Sequence, residues 1–157
     1  MDVYAWVSPF LKNRRVTDWG CGRGDGMLIM SMFANHITGV DNNKRQIKYS
    51  YRHNPHYFCE VDTIVHDLNT GLPDTRQDIV TAFEVLEHLK DPAPLIRDSE
   101  WKEFYFSVPK SMPHPLHTRV FHSEEDVESL FPDNDTIQHS EIYEVNGDYR
   151  GYLKRWE

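Results

Sequence analysis

The chain has 157 residues, with Lys+Arg of 17 against Asp+Glu of 25 and a net charge of −8; it is sized for one nearly minimal domain, and its charge speaks against broad binding to a phosphate backbone, which needs clustered positive side chains. Arg14-Arg15 and Lys44-Arg45 are short basic pairs of the kind found on a solvated face. No apolar run approaches the roughly 20 residues of a membrane span, the N-terminus lacks the basic-then-apolar order of a signal peptide, and Cys21 and Cys59 show no CxxC spacing, so a soluble cytoplasmic protein with reduced thiols is expected.

In chain order, 2–11 predicts an opening amphipathic helix interrupted at Pro9, and 15–19 a first strand. A helix follows over 24–34, with Met27, Leu28, Met30 and Phe33 spaced to pack on a sheet. The second strand is 36–41, after which Asn42 or Asn43 caps a helix running through Tyr51. A third strand is read at 63–66, turn chemistry at 69–73, and a fourth strand at 78–83 leading into a short helix from Glu84. The fifth strand is 103–108. Three prolines and a histidine over 109–115 suggest an irregular loop suited to act as a substrate lid. Ser123 caps a helix over 124–131, and two last strands at 138–145 and 149–155 are joined by Asn146-Gly147, a strong hairpin signal. Alternating strands and helices argue for an α/β fold, a mostly parallel sheet covered on both faces and ending antiparallel.

The chemistry concentrates in Asp18-Trp19-Gly20-Cys21-Gly22-Arg23-Gly24, followed about twenty residues later by Gly39-Val40-Asp41. Glycines let a strand turn sharply beneath a ligand, and an acid after the second strand can accept both hydroxyls of a ribose. The dinucleotide pattern is broken, because the place of its third glycine is held by Asp25. A pyrophosphate would meet Asp18 and Asp25 unfavourably, whereas S-adenosylmethionine carries a sulfonium and an ammonium and no phosphate.

Laid out in that order, the chain resembles the class I S-adenosylmethionine-dependent methyltransferases, especially the compact branch whose fourth strand runs into Val-Leu-Glu-His-Leu and then Asp-Pro, here Val85-Leu86-Glu87-His88-Leu89-Lys90-Asp91-Pro92. The resemblance implies a three-layer Rossmann-like sandwich with a mostly parallel seven-stranded sheet and a closing antiparallel hairpin. It implies that Asp18 orients the glycine loop, that Gly20, Cys21, Gly22 and Gly24 meet the methionyl part of the cofactor, and that Asp41 takes the ribose hydroxyls with Asn42 bordering the adenine. Asp67 and the Leu68 amide would meet the adenine, although Asp67 could instead cap a turn, and the Phe83 carbonyl would meet the ammonium.

Glu84, Glu87 and His88 form an ExxEH pattern which, on a helix, shares one face. Such donors can bind a divalent cation, and the resemblance extends to small-RNA 3′-terminal 2′-O-methyltransferases and some quinone-biosynthesis O-methyltransferases that use a similar pattern for Mg²⁺. The same string also lines sites or caps helices where no metal is known, so no metal is assigned. A further ligand would have to come from His114, His117 or His122. His88 is the candidate catalytic base. The function implied is methyl transfer from S-adenosylmethionine to a small molecule at oxygen, releasing S-adenosylhomocysteine. The alternatives are Mg²⁺-assisted methylation of an RNA end and a non-catalytic, cofactor-binding partner subunit. The acceptor and the oligomeric state are not legible in the sequence.

Overall fold

The computed structural model describes residues 3–53, 56–131 and 137–156. Seven strands, β1 (Arg15–Trp19), β2 (His36–Asp41), β3 (Glu60–Val65), β4 (Ile79–Phe83), β5 (Glu103–Pro109), β6 (Ile137–Val145) and β7 (Asp148–Arg155), form one sheet in the order β3-β2-β1-β4-β5-β7-β6. The first five are parallel; β7 runs antiparallel between β5 and β6. The strand order reverses between β1 and β4. In an open α/β sheet, that reversal leaves a crevice beyond the strands' carboxyl ends.

Among the described residues, five α-helices accompany the sheet: α1 (Val3–Val7), α2 (Asp25–Ser31), α3 (Lys44–His53), α4 (Ala93–Asp98) and α5 (Glu124–Glu128). Alternation along the central strands divides the core into two layers. Val80, Ala82, Phe104, Phe106 and Val108 face Leu95 and Ile96 of α4 and Val127 of α5. Ile79, Phe83 and Tyr105 face the other way, toward Val7, Met27, Met30 and Ile47 of α1, α2 and α3. Val16 through Trp19 are all buried, as expected of a strand covered on both faces. No helix among the described residues is long and apolar enough to cross a membrane.

Several boundaries depart from the sequence expectations. The opening helix becomes a single 3-10 turn at Ser8–Phe10, where Pro9 sits; the expected start at Asp2 lies outside the described residues. The α2 helix ends at Ser31, whose hydroxyl bonds to Leu28 O and receives Phe58 N, so Phe33 lies beyond the helix and is 43% exposed instead of packing on the sheet. Asn43, not Asn42, caps α3, its Oδ1 accepting from the amides of Arg45 and Gln46. The third strand begins at Glu60, and α5 closes at Glu128 behind a capping box between Ser123 and Asp126.

Candidate functional site

Beyond the ends of β1 and β2, the chain turns through residues 20–24. Gly20, Gly22 and Gly24 all take positive φ. At Gly20 the requirement is double, because a Cβ there would also strike the side chain of Val85. The turn is fastened to β2: the amides of Gly20 and Cys21 donate to Val40 O at 2.7 and 3.1 Å. Asp41 holds the turn with one oxygen and the start of α3 with the other, accepting from Gly22 N at 3.0 Å and from Asn43 N at 2.7 Å.

Asp18 lies wholly buried near the carboxyl end of β1. Its Oδ1 accepts from Thr81 Oγ1 at 2.7 Å, while Oδ2 is buried with no hydrogen-bond partner. Burial, reinforced by the nearby charge of Asp41, pushes its carboxyl from the ordinary 3.8 up to about 7. Burial and the flanking carboxylates of Asp18 and Asp41 also push the Cys21 thiol well above its usual range, so this cysteine is no nucleophile at neutral pH.

The raised carboxyl has a consequence for stability. The folded chain holds the Asp18 proton up to about pH 7 and the unfolded chain releases it near 3.8, so this group's contribution to stability falls as pH rises between those values. The full difference is about 4 kcal/mol as an upper bound. Asp18→Asn keeps an acceptor for Thr81 and removes the titration. Its unfolding free energy relative to the parent, measured in urea, should therefore rise between pH 5 and pH 8 by about 2–4 kcal/mol; an equal difference at both pH values would contradict the assignment.

Next to this turn lies a cavity of about 370 Å³. Its wall brings together Asp41, Asn42, Asp67, Leu68 and His88, five of the residues named from the sequence, with Val85 beside the glycine turn. Asp18, Cys21, the glycines and Phe83 are not on that wall; they lie along the adjoining strand tips. Asp67 also caps a 3-10 turn (Leu68–Thr70) through Asn69 N, so its turn-capping role is real alongside its place on the wall. Sequence reasoning missed His66, Asn69 and Leu89, which complete the wall together with Leu116 of the loop expected as a lid. His66 precedes Asp67-Leu68 directly and bonds through Nε2 to Gly71 O and through its amide to Asp41 O. Its position in the chain was the available signal.

The ExxEH segment is not an α-helix. Glu84 takes φ of 56° at the end of β4, where its amide donates to Ser107 O and its Oε1 accepts from Ser107 Oγ at 2.6 Å. A 3-10 turn then covers Leu86–His88. Glu84 is therefore absent from the donor group that forms. That group is Glu87, His88 and His117, with one ligand atom from each lying within 4.8 Å of the others. Glu87 is 1% exposed, its Oε2 has no hydrogen-bond partner, and burial, aided by the charge of Glu84, pushes its carboxyl up to about 8. The Nδ1 atoms of His88 and His117 face the carbonyls of Leu116 and Met112 at 3.1 and 2.9 Å. A carbonyl only accepts, so each Nδ1 carries its hydrogen, and in the neutral rings each Nε2 keeps a lone pair. The rings meet edge to face with centroids 4.8 Å apart.

The loop expected as a lid is fastened along its length. Ser111 N donates to Phe121 O, His117 N to His114 O and Thr118 N to Glu87 O, and Arg119 reaches Lys90 O. His114 stays on the outer side, against His117, and His122 bonds to Ser111 Oγ outside the donor group.

The family described as a methyltransferase domain matches residues 17–100, just over half of the chain. A ubiquinone biosynthesis O-methyltransferase of Bordetella bronchiseptica is 34% identical over 90 residues, covering 55% of this chain and 37% of that protein. A "probable S-adenosylmethionine-dependent methyltransferase" of Mycobacterium tuberculosis is 28% identical over 138 residues, covering 78% of this chain and 49% of that protein. The chain thus spans half or less of the length of these relatives. Among solved structures, the magnesium protoporphyrin IX methyltransferase of Synechocystis with bound S-adenosylhomocysteine superposes with a TM-score of 0.73 at 16% identity, over 98% of this chain and 80% of that one. At that identity the likeness speaks for the fold alone.

Proposed function

Because the chain belongs to the class I S-adenosylmethionine-dependent methyltransferases, we propose that it moves the sulfonium methyl to an oxygen of a small-molecule acceptor. The observation that carries this reading is the convergence of Glu87, His88 and His117, with His88 also on the wall of the cavity beside the glycine turn. Asp41 takes the ribose hydroxyls, Asn42 borders the adenine, and Asp67 and the Leu68 amide meet its edge. Asp18 and residues 20–24 set the methionyl end, and the Phe83 carbonyl receives the ammonium. The acceptor oxygen attacks the methyl carbon in line; the new C–O bond forms as the C–S bond breaks, and S-adenosylhomocysteine leaves. His88 Nε2 takes the hydroxyl proton. Since the sulfonium is already activated, alignment and exclusion of water supply most of the remaining acceleration. The net charge of −8 supports a small acceptor over an RNA end.

A specific feature favours a second reading of the same cluster, in which Nε2 of His88 is a ligand and not the base. Two imidazoles with Nδ1 held by carbonyls, and a buried Glu87 carboxyl oxygen without a partner whose proton an ion would displace, fit a divalent cation. Two nitrogen donors suit Zn²⁺ and similar transition ions better than Mg²⁺. Bound there, such an ion would supply Lewis acidity that lowers the pKa of an acceptor hydroxyl.

The test is transfer of labelled methyl to phenolic and aliphatic hydroxyl compounds and to short RNA, each with EDTA or with added Zn²⁺, alongside calorimetry of S-adenosylhomocysteine. Methylation of a hydroxyl compound supports the proposal. Labelling of RNA alone moves the acceptor class, and cofactor binding without any transfer identifies a non-catalytic binding subunit. Either of those results overturns it.

A further inference from the structure

The donor group above is assembled from two segments some thirty residues apart, joined by Thr118, by Arg119 on Lys90 O and by the bond between His88 Nδ1 and Leu116 O. Thr118 Oγ1 lies 2.6 Å from Leu89 O and 3.0 Å from Glu87 O, so its one proton is shared between two carbonyls of the turn that carries Glu87 and His88. Its backbone amide donates to the same Glu87 O at 2.7 Å. The two residues before it provide the contacts that matter in the site: His117 presents its ring to His88, and the Leu116 carbonyl faces His88 Nδ1.

We propose that Thr118 is a positioning residue for this site: its hydroxyl clasps the Glu87 and Leu89 carbonyls and so sets His117 and the Leu116 carbonyl against His88. The proposal deepens the cation-assisted reading and rests on it. Both contacts to His88 come from residues within two positions of the clasp, and a short tether transmits little slack. Within the proline-rich chain from Ser111 to His117, the internal hydrogen bonds are those of His117 N to His114 O, Leu116 N to His114 Nδ1 and His117 Nδ1 to Met112 O. Without the hydroxyl, the Thr118 amide bond, the His88 Nδ1 bond to Leu116 O and the Arg119 contact to Lys90 O remain at this junction. Outer partners of metal-binding histidines matter by about 10–100-fold in affinity.

The decisive variant is Thr118→Val, which keeps shape and amide and removes the hydroxyl, with Thr118→Ser as its rescue. Zn²⁺ binding to EDTA-treated protein is measured by calorimetry. The heat left in a Glu87→Ala, His88→Ala double variant is subtracted, because His36, Glu60 and Asp62 form a separate donor group on β2 and β3. The His88 Cε1–H resonance is recorded without metal, with His117→Ala marking its position when the neighbouring ring is gone. Thr118→Val should weaken Zn²⁺ binding about tenfold, Thr118→Ser should restore it, and the resonance should move toward the His117→Ala position. Less than a fivefold loss in the valine variant, or no restoration by serine, overturns the proposal. If the parent binds no Zn²⁺ above the blank, the cation reading fails by itself and the resonance decides the clasp: a shift upholds it and an unmoved line overturns it.

Discussion

Replacing Asp41 with alanine should weaken binding of S-adenosylmethionine by about 1–3 kcal/mol, roughly a five- to 150-fold rise in Kd. Two losses combine. The variant gives up a charge-assisted acceptor for the ribose hydroxyls, and it also releases Gly22 N and Asn43 N, which this carboxylate holds. Asp41→Asn separates them, because one amide oxygen can still accept from the loop while the second position becomes a donor. Calorimetry of S-adenosylhomocysteine against the three proteins measures the effect. An unchanged Kd in the alanine variant removes Asp41 from the cofactor site.

His88→Gln should lower kcat by roughly 10²–10⁴, the range for a positioned base, and leave the Kd of S-adenosylhomocysteine within about threefold. Glu87→Gln then distinguishes the two roles for the cluster. If His88 acts as a base alone, the amide at position 87 lowers kcat by less than about tenfold, since the neighbouring carboxyl already holds its proton up to about pH 8. If a cation is held there, Glu87→Gln costs as much as His88→Gln, and added Zn²⁺ recovers part of the loss. Full activity in His88→Gln would take the residue out of the chemistry.

The first two strands were legible residue by residue. Arg15–Trp19 and His36–Asp41 are runs that become buried on both faces and end in glycine or acid punctuation. The third strand was read short because Glu60, Val61 and Asp62 alternate charge with an apolar residue; it lies at the sheet edge, where one face meets water. The glycine turn, Asp41 and Asp67 were recognisable because their spacing along the chain is local. The ExxEH segment misled for the opposite reason: Glu84 continues pairing with β5 through Ser107, a partner 23 residues away, and that bond overrides the helical periodicity of the string. His117 was named as one of three possible histidines, but only the folded path of 109–119 singles it out.

The glycine turn at residues 20–24 is braced from several sides by the chain itself. Its backbone amides are fixed on Val40 and Asp41, and its conformation is built into glycine torsions. The entropy of ordering this segment is therefore spent during folding and does not reappear when the nucleoside docks. Association should accordingly proceed in one fast phase, without a slow isomerisation following encounter, and the affinity should be set by how quickly the ligand leaves.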